Sequence, residues 1–158
     1  MPLKVLASYL EKHQIGYTVI QHPDMITDRE LEGVSHIPGN GLAKAVVVRV
    51  DRDYVMVVIP STNELDLQQL RTIFGVRNVE LATRKESERL FPGCETGATP
   101  PFGNLFGIPV YIDRELTIDD CITFKAGNNH ELIILPYREF ERLVNPGVIA
   151  IREVAGKA

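Results

Sequence analysis

Apolar residues recur along this chain at two spacings, and the changes between them set out the elements in order. Leu3, Leu6, Ala7 and Leu10 fall three and four residues apart, which predicts a helix over residues 3–13. Ile15, Tyr17 and Val19 then alternate with polar neighbours, so a short strand is expected to run to Gln21. Thr27 followed three residues later by Glu30 is a capping box, which opens a short helix ending near Gly33. Past the Pro/Gly loop at residues 37–41 come two Val-rich runs, 43–50 and 54–59, joined by Asp51, Arg52 and Asp53. This is the strongest hairpin signal in the chain. Both runs are almost continuously apolar, which places the two strands centrally, covered on both faces.

The second half continues the mixture. Asp66 caps a predicted helix carrying Leu67, Leu70 and Ile73, with Gly75 at its C-terminal end. A strand is expected over residues 76–81, and the capping box from Thr83 to Glu86 opens a helix to Phe91. The chain then reads as irregular from Pro92 to Gly107. Residues 110–112, 121–125 and 132–135 read as strands, residues 137–144 as an amphipathic helix, and residues 148–151 as an edge strand. Hairpin strands mixed with helices predict an α/β (α+β) fold, in which helices surround a mixed central β-sheet. Strand order does not follow from the pattern. With 158 residues the chain is the size of one domain, expected over 1–158.

Composition narrows the function classes. The formal net charge is −4, from 21 acidic and 17 basic residues, which excludes wide electrostatic wrapping of nucleic acid but leaves room for a grip on one RNA end. No apolar run approaches the roughly 20 residues of a membrane span, and the N-terminus has no secretory core, so a cytoplasmic protein with no membrane partner is expected. Cys94 and Cys121 sit in no CxxC pair and are expected as reduced thiols. His13, His22, His36 and His130 have no ligand-type spacing to Cys or carboxylate, so no metal or other cofactor is expected. There is no GxSxG elbow and no Walker ending after Gly41. Cys94 has no activating neighbour in sequence.

Three segments carry candidate chemistry. The stretch 93–103 holds three glycines and two prolines in eleven residues. Glycines let backbone N–H groups converge on an anion or a carbonyl oxygen, while prolines stiffen the turn. A plain surface connection has the same composition. Lys44 opens an apolar strand between Ala43 and Ala45, where an ammonium is costly to bury unless it meets an anion; a lysine snorkelling at the strand's wet end fits equally. The turn Gly127, Asn128, Asn129, His130 separates two strands, and its histidine either bonds a ligand or lies idle at the surface.

Taken together, these segments resemble the YbaK/ProX family of aminoacyl-tRNA deacylases, which includes the editing domain inserted in many bacterial prolyl-tRNA synthetases. The matching pieces, in order, are Tyr17 to Pro23 with Thr27, Gly41 to Val47 around Lys44, Gly97 to Gly103 with its GxxxP pattern, Val110 to Asp113, and Phe124 to His130. The resemblance implies hydrolysis in trans of the ester in mischarged tRNA, without metal or nucleophilic triad. It implies that Lys44, Gly97 and Pro101 form the catalytic set. His22, Thr27, Ala98, Thr99, Phe102, Gly103, Gly127, Asn128 and His130 would contact substrate. It implies the 3′ aminoacyl end of mischarged tRNA as partner, with an aminoacyl-tRNA synthetase as a second candidate. Two other classes stay open on the residues alone: a non-catalytic module that binds aminoacyl-tRNA or a synthetase, and a small-molecule esterase.

Overall fold

The computed structural model describes residues 3–21, 41–95 and 97–151. The capping box at Thr27 and the candidate site residues His22 and Thr27 lie outside them.

The chain begins with helix α1 (Lys4–Lys12), which buries Leu6 and Leu10. Ile15 turns back so that its N–H donates to the Leu10 carbonyl, and it joins the core instead of the first strand. Strand β1 therefore spans only Thr18–Gln21. The expected hairpin is present as β2 (Leu42–Val50) and β3 (Asp53–Pro60), and β3 is buried along most of its length. Helix α2 (Leu67–Phe74) is capped by Asp66, whose carboxylate accepts the Gln68 N–H, and ends at Gly75 with φ of 66°. Val76 N–H donates to the Arg71 carbonyl within that C-terminal cap, so β4 contracts from the expected 76–81 to Val79–Leu81.

Helix α3 (Arg84–Leu90) starts from a complete capping box between Thr83 and Glu86. A tight 3-10 turn at Gly103–Phe106 and a short helix α4 (Arg114–Thr117) follow, on either side of β5 (Val110–Asp113). Neither helical turn is visible as periodicity, because each is too short to repeat. Strands β6 (Cys121–Lys125) and β7 (Glu131–Pro136), helix α5 (Tyr137–Val144) and strand β8 (Gly147–Ile149) complete the described chain.

All eight strands of the described residues join one mixed sheet in the order β1-β7-β6-β2-β3-β5-β8, with β4 paired separately to β2. One face carries the larger core: Ala43, Val47, Met56, Val58, Phe124 and Ile133 meet Leu6, Leu10, Phe102 and Phe140. The other face packs Val48, Val57 and Ile59 against Leu70 of α2. Fold class and core placement thus follow the hydrophobic pattern.

Candidate active site

The sheet has a gap, and the gap is where the candidate chemistry gathers. One edge of β2 is fully paired to β3. The opposite edge is divided. At its start, Leu42 and Ala43 pair in parallel with Thr123 and Phe124 of β6. At its end, Val48, Arg49 and Val50 pair with β4. Between them no strand of the described residues pairs with residues 44–47. Backbone direction follows from two bonds: the Leu42 carbonyl accepts from Ser61 beyond β3, whereas the Val47 carbonyl accepts the Ala82 N–H on the far side. Alternation then turns the N–H and C=O of Ala45 into the gap.

Two adjoining cavities fill this opening. The larger, of about 270 Å³, lies between Ala45, Val47 and Leu81 on one side and Ser87, Cys94 and Thr99 on the other. The smaller, of about 120 Å³, is lined by Lys44, Gly97, Thr99 and Lys125 with Leu42, Ala43 and Ala45. Ala45, Gly97 and Thr99 border both. Lys44 thus opens on the same cavity as the glycine of the GxxxP turn, a neighbourhood that lies 53 residues apart in the chain.

Hydrogen bonds hold the turn in place. The Glu95 N–H donates to the Gly127 carbonyl at 2.9 Å, and the Gly127 N–H donates to the Ala98 carbonyl at 3.0 Å. The Glu95 carboxylate accepts from the Asn129 N–H at 2.7 Å and from Asn129 Nδ2 at 3.3 Å. Two loops from different parts of the sequence are thereby clasped together. Gly127, at φ of 97°, has no room for a side chain: a Cβ there would lie 2.7 Å from the Leu3 Cβ.

Not every expected residue faces the cavities. Gly97 and Thr99 do, but Ala98, Pro101, Phe102 and Gly103 are buried beneath them. Phe102 is fully enclosed against Phe124 and Phe140 and packs the core. Gly103 is required by close packing, since a Cβ there would meet the Ile108 carbonyl oxygen at 2.7 Å. Asn128 is buried, with Nδ2 donating to Glu131 at 2.9 Å and Oδ1 accepting the His130 N–H at 3.0 Å. Gly127, Asn128 and His130 line neither cavity and instead shape the turn that supports Glu95 and Ala98.

Lys125 and Glu95, which sequence reading does not single out, sit at the cleft. Strand periodicity puts Lys125 on the face opposite Phe124, and the smaller cavity brings it together with Lys44. Cys94 lines the larger cavity, and burial pushes its thiol up to about 11. A thiol held protonated is a poor nucleophile.

The model of the aminoacyl-tRNA editing domain matches residues 22–143. The chain belongs to the aminoacyl-tRNA editing domain family. Among its curated relatives, the multifunctional Ser/Thr-tRNA deacylase ProXp-y of Escherichia coli (strain K12) is 28% identical, over 95% of this chain and 92% of that protein. The prolyl-tRNA editing protein ProX of Acetoanaerobium sticklandii is 24% identical over 85% of each chain. The proline–tRNA ligase of Bacillus cereus (strain G9842) is 23% identical over 87% of this chain but only 25% of its own length, so the matching region is a small part of that protein. A solved structure of a candidate trans-editing enzyme for prolyl tRNA synthetase superposes with a TM-score of 0.82 at 22% identity, covering 96% of both chains. That agreement carries the fold.

Proposed function

We propose that this editing-family protein hydrolyses the ester of mischarged aminoacyl-tRNA in trans. The observation that carries the reading is the shared cavity of Lys44, Gly97 and Thr99 at the gap in the sheet. The matches to stand-alone relatives over nearly their full length support action in trans.

In this reading the Lys44 ammonium holds the terminal nucleotide through a phosphate, as a compact point charge suits. The scissile carbonyl lies over the turn. The Ala98 N–H is already engaged with the Glu95 carbonyl, so Gly97 and Thr99 are the turn residues whose N–H groups polarise the carbonyl oxygen. Water adds to the carbonyl carbon and the oxyanion forms against those donors. The intermediate then collapses, expelling the ribose oxygen, which takes a proton, and freeing the amino acid. The ester is already activated, so positioning and oxyanion stabilisation supply the acceleration that a strong base provides elsewhere. Pro101 stiffens the turn from below. The family resemblance implies a small or medium amino acid (Ala, Ser, Thr, Cys or Pro), which a cavity of about 270 Å³ accommodates.

The test is a panel of mischarged tRNAs incubated with the wild-type protein and with Lys44→Ala. One or more tRNAs should lose their amino acid well above the buffer rate, and the variant should be slower by at least tenfold. Binding of tRNA without turnover by the wild type, or full activity of Lys44→Ala, would overturn the assignment.

A further inference from the structure

We infer that the main chain of Ala45 binds the aminoacyl group as a single antiparallel residue pair, so that the substrate is an ester of one amino acid with a free amino group. The inference rests on the deacylase reading for the identity of the ligand, but not for the geometry of the strand. The Leu42 carbonyl accepts from Ser61 beyond β3, and alternation along the β2–β3 register turns the backbone groups of Ala43, Ala45 and Val47 the other way. Ala43 is the last residue of β2 that pairs with β6. The Val47 carbonyl accepts the Ala82 N–H at 2.9 Å, just past the end of β4. Between these two points the N–H and C=O of Ala45 face the opening, and no strand of the described residues pairs with them. Ala45 also borders both cavities, as do Gly97 and Thr99 of the turn.

An aminoacyl ester has the two groups that such a pair exchanges. Its α-ammonium donates and its ester carbonyl accepts, one on each side of a single Cα. The ammonium therefore donates to the Ala45 carbonyl, and the Ala45 N–H donates to the ester carbonyl, adding a donor from the strand to those of the turn. Chain direction then fixes polarity. In an extended strand the N–H of a residue lies toward its predecessor and the C=O toward its successor. The ester carbonyl and the ribose beyond it lie on the Lys44 side, in the smaller cavity. The ammonium lies on the Val46 side, in the larger one. The nucleotide thus falls beside Lys44, the cation assigned to its phosphate on separate grounds. Length is limited by the same register. An acyl group on the amino nitrogen would run along β2 toward Val47, whose carbonyl Ala82 already holds. A free amino acid fits; N-acetyl and peptidyl esters do not.

The experiment has a kinetic arm and a binding arm. In the first, the mischarged tRNA that the wild type hydrolyses fastest is compared with its N-acetylated form, whose kcat/KM should be lower by about a hundredfold or more. Ala45→Pro removes the N–H and keeps the carbonyl, and proline is accepted where a strand's N–H faces outward. Its kcat should fall about a hundredfold, the loss of one oxyanion donor. Equal rates on the two tRNAs, or full activity of Ala45→Pro, would overturn the pairing. The second arm needs no turnover and no variant. The wild type is titrated with 3′-alanylamino-3′-deoxyadenosine, whose amide replaces the labile ester, while the Ala45 amide and carbonyl-carbon resonances are followed by NMR. Both signals should move with this analogue, and neither with its N-acetyl form. If they do so in a protein that hydrolyses no mischarged tRNA, the pairing stands and the deacylase reading fails. If both signals stay in place, the pairing fails whatever the activity.

Discussion

At the scale of single residues, two side chains make sharp tests because their surroundings are unusual. The Thr123 hydroxyl is buried, at 1% exposure, and finds no hydrogen-bond partner among the described residues. An orphan buried polar group costs about 1–3 kcal/mol, and valine keeps its shape. Thr123→Val should therefore raise stability by about 1 kcal/mol, or roughly 2–4 °C in Tm for a domain of this size. A lower Tm would show that the hydroxyl is satisfied in solution. Cys94 offers a second test. Burial raises its thiol from the ordinary 9.0 to about 11. The unfolded chain then ionises first, so the stability due to the protonated thiol is complete below pH 9.0 and is lost as pH rises towards 11. Chemical denaturation across that window should show a decline that Cys94→Ser flattens. Deacylation by Cys94→Ser should stay within about twofold of wild type, since no thiolate takes part.

Among the elements, α3 depends most visibly on its first turn. Thr83 Oγ1 accepts the Glu86 N–H at 3.1 Å, and Glu86 returns the bond by accepting the Thr83 N–H at 2.8 Å. Glu86 also accepts the Tyr54 hydroxyl, tying the helix to β3. The Thr83 N–H, and after it Tyr54, hold the Glu86 carboxyl below the usual carboxylate range. Its contribution is therefore present above the ordinary carboxylate pKa and is lost as pH falls through the lowered value. Amide exchange in the first turn of α3 should accelerate over that acid range before the sheet is affected. Thr83→Ala should cost about 1 kcal/mol by denaturant titration and remove the acid transition in α3. Arg84, Ser87 and Glu88 of this helix line the larger cavity.

For the molecule as a whole, the decisive link is the clasp between the 95–99 turn and the 126–130 turn. Glu95 supplies it from both backbone and side chain. Glu95→Ala should reduce kcat by about ten- to a hundredfold, the scale of an ångström-level misplacement, with a smaller effect on KM. A change confined to KM would mean that Glu95 contacts substrate instead of positioning the turn. This clasp also marks the boundary of what the sequence discloses. Strand and helix identities were legible because their periodicities are local: the β2–β3 hairpin, the Asp66 cap and the Thr83 box are each written within a few residues. Lys44 and Gly97 were legible as candidates because a cation in an apolar strand and a Gly/Pro turn are conspicuous. The burial of Phe102 is not legible, because an aromatic beside a Gly/Pro turn looks the same in sequence whether it points up or down. Lys125 and Glu95 escaped because their place at the cleft follows from strand and loop pairing, which join residues far apart in the chain.

The opening along β2 also bears on association between chains. A strand edge with unsatisfied amides ordinarily recruits another strand, and long exposed edges are starting points for aggregation. Here the unpaired stretch is recessed, with β6 on one side and β4 on the other, and spans only residues 44–47. A foreign polypeptide would have to enter end-on through a slot too short to hold a stable ladder, and it would meet two ammonium groups at the threshold. The fold keeps peptide dipoles available to a compact visitor while denying them to a neighbouring chain.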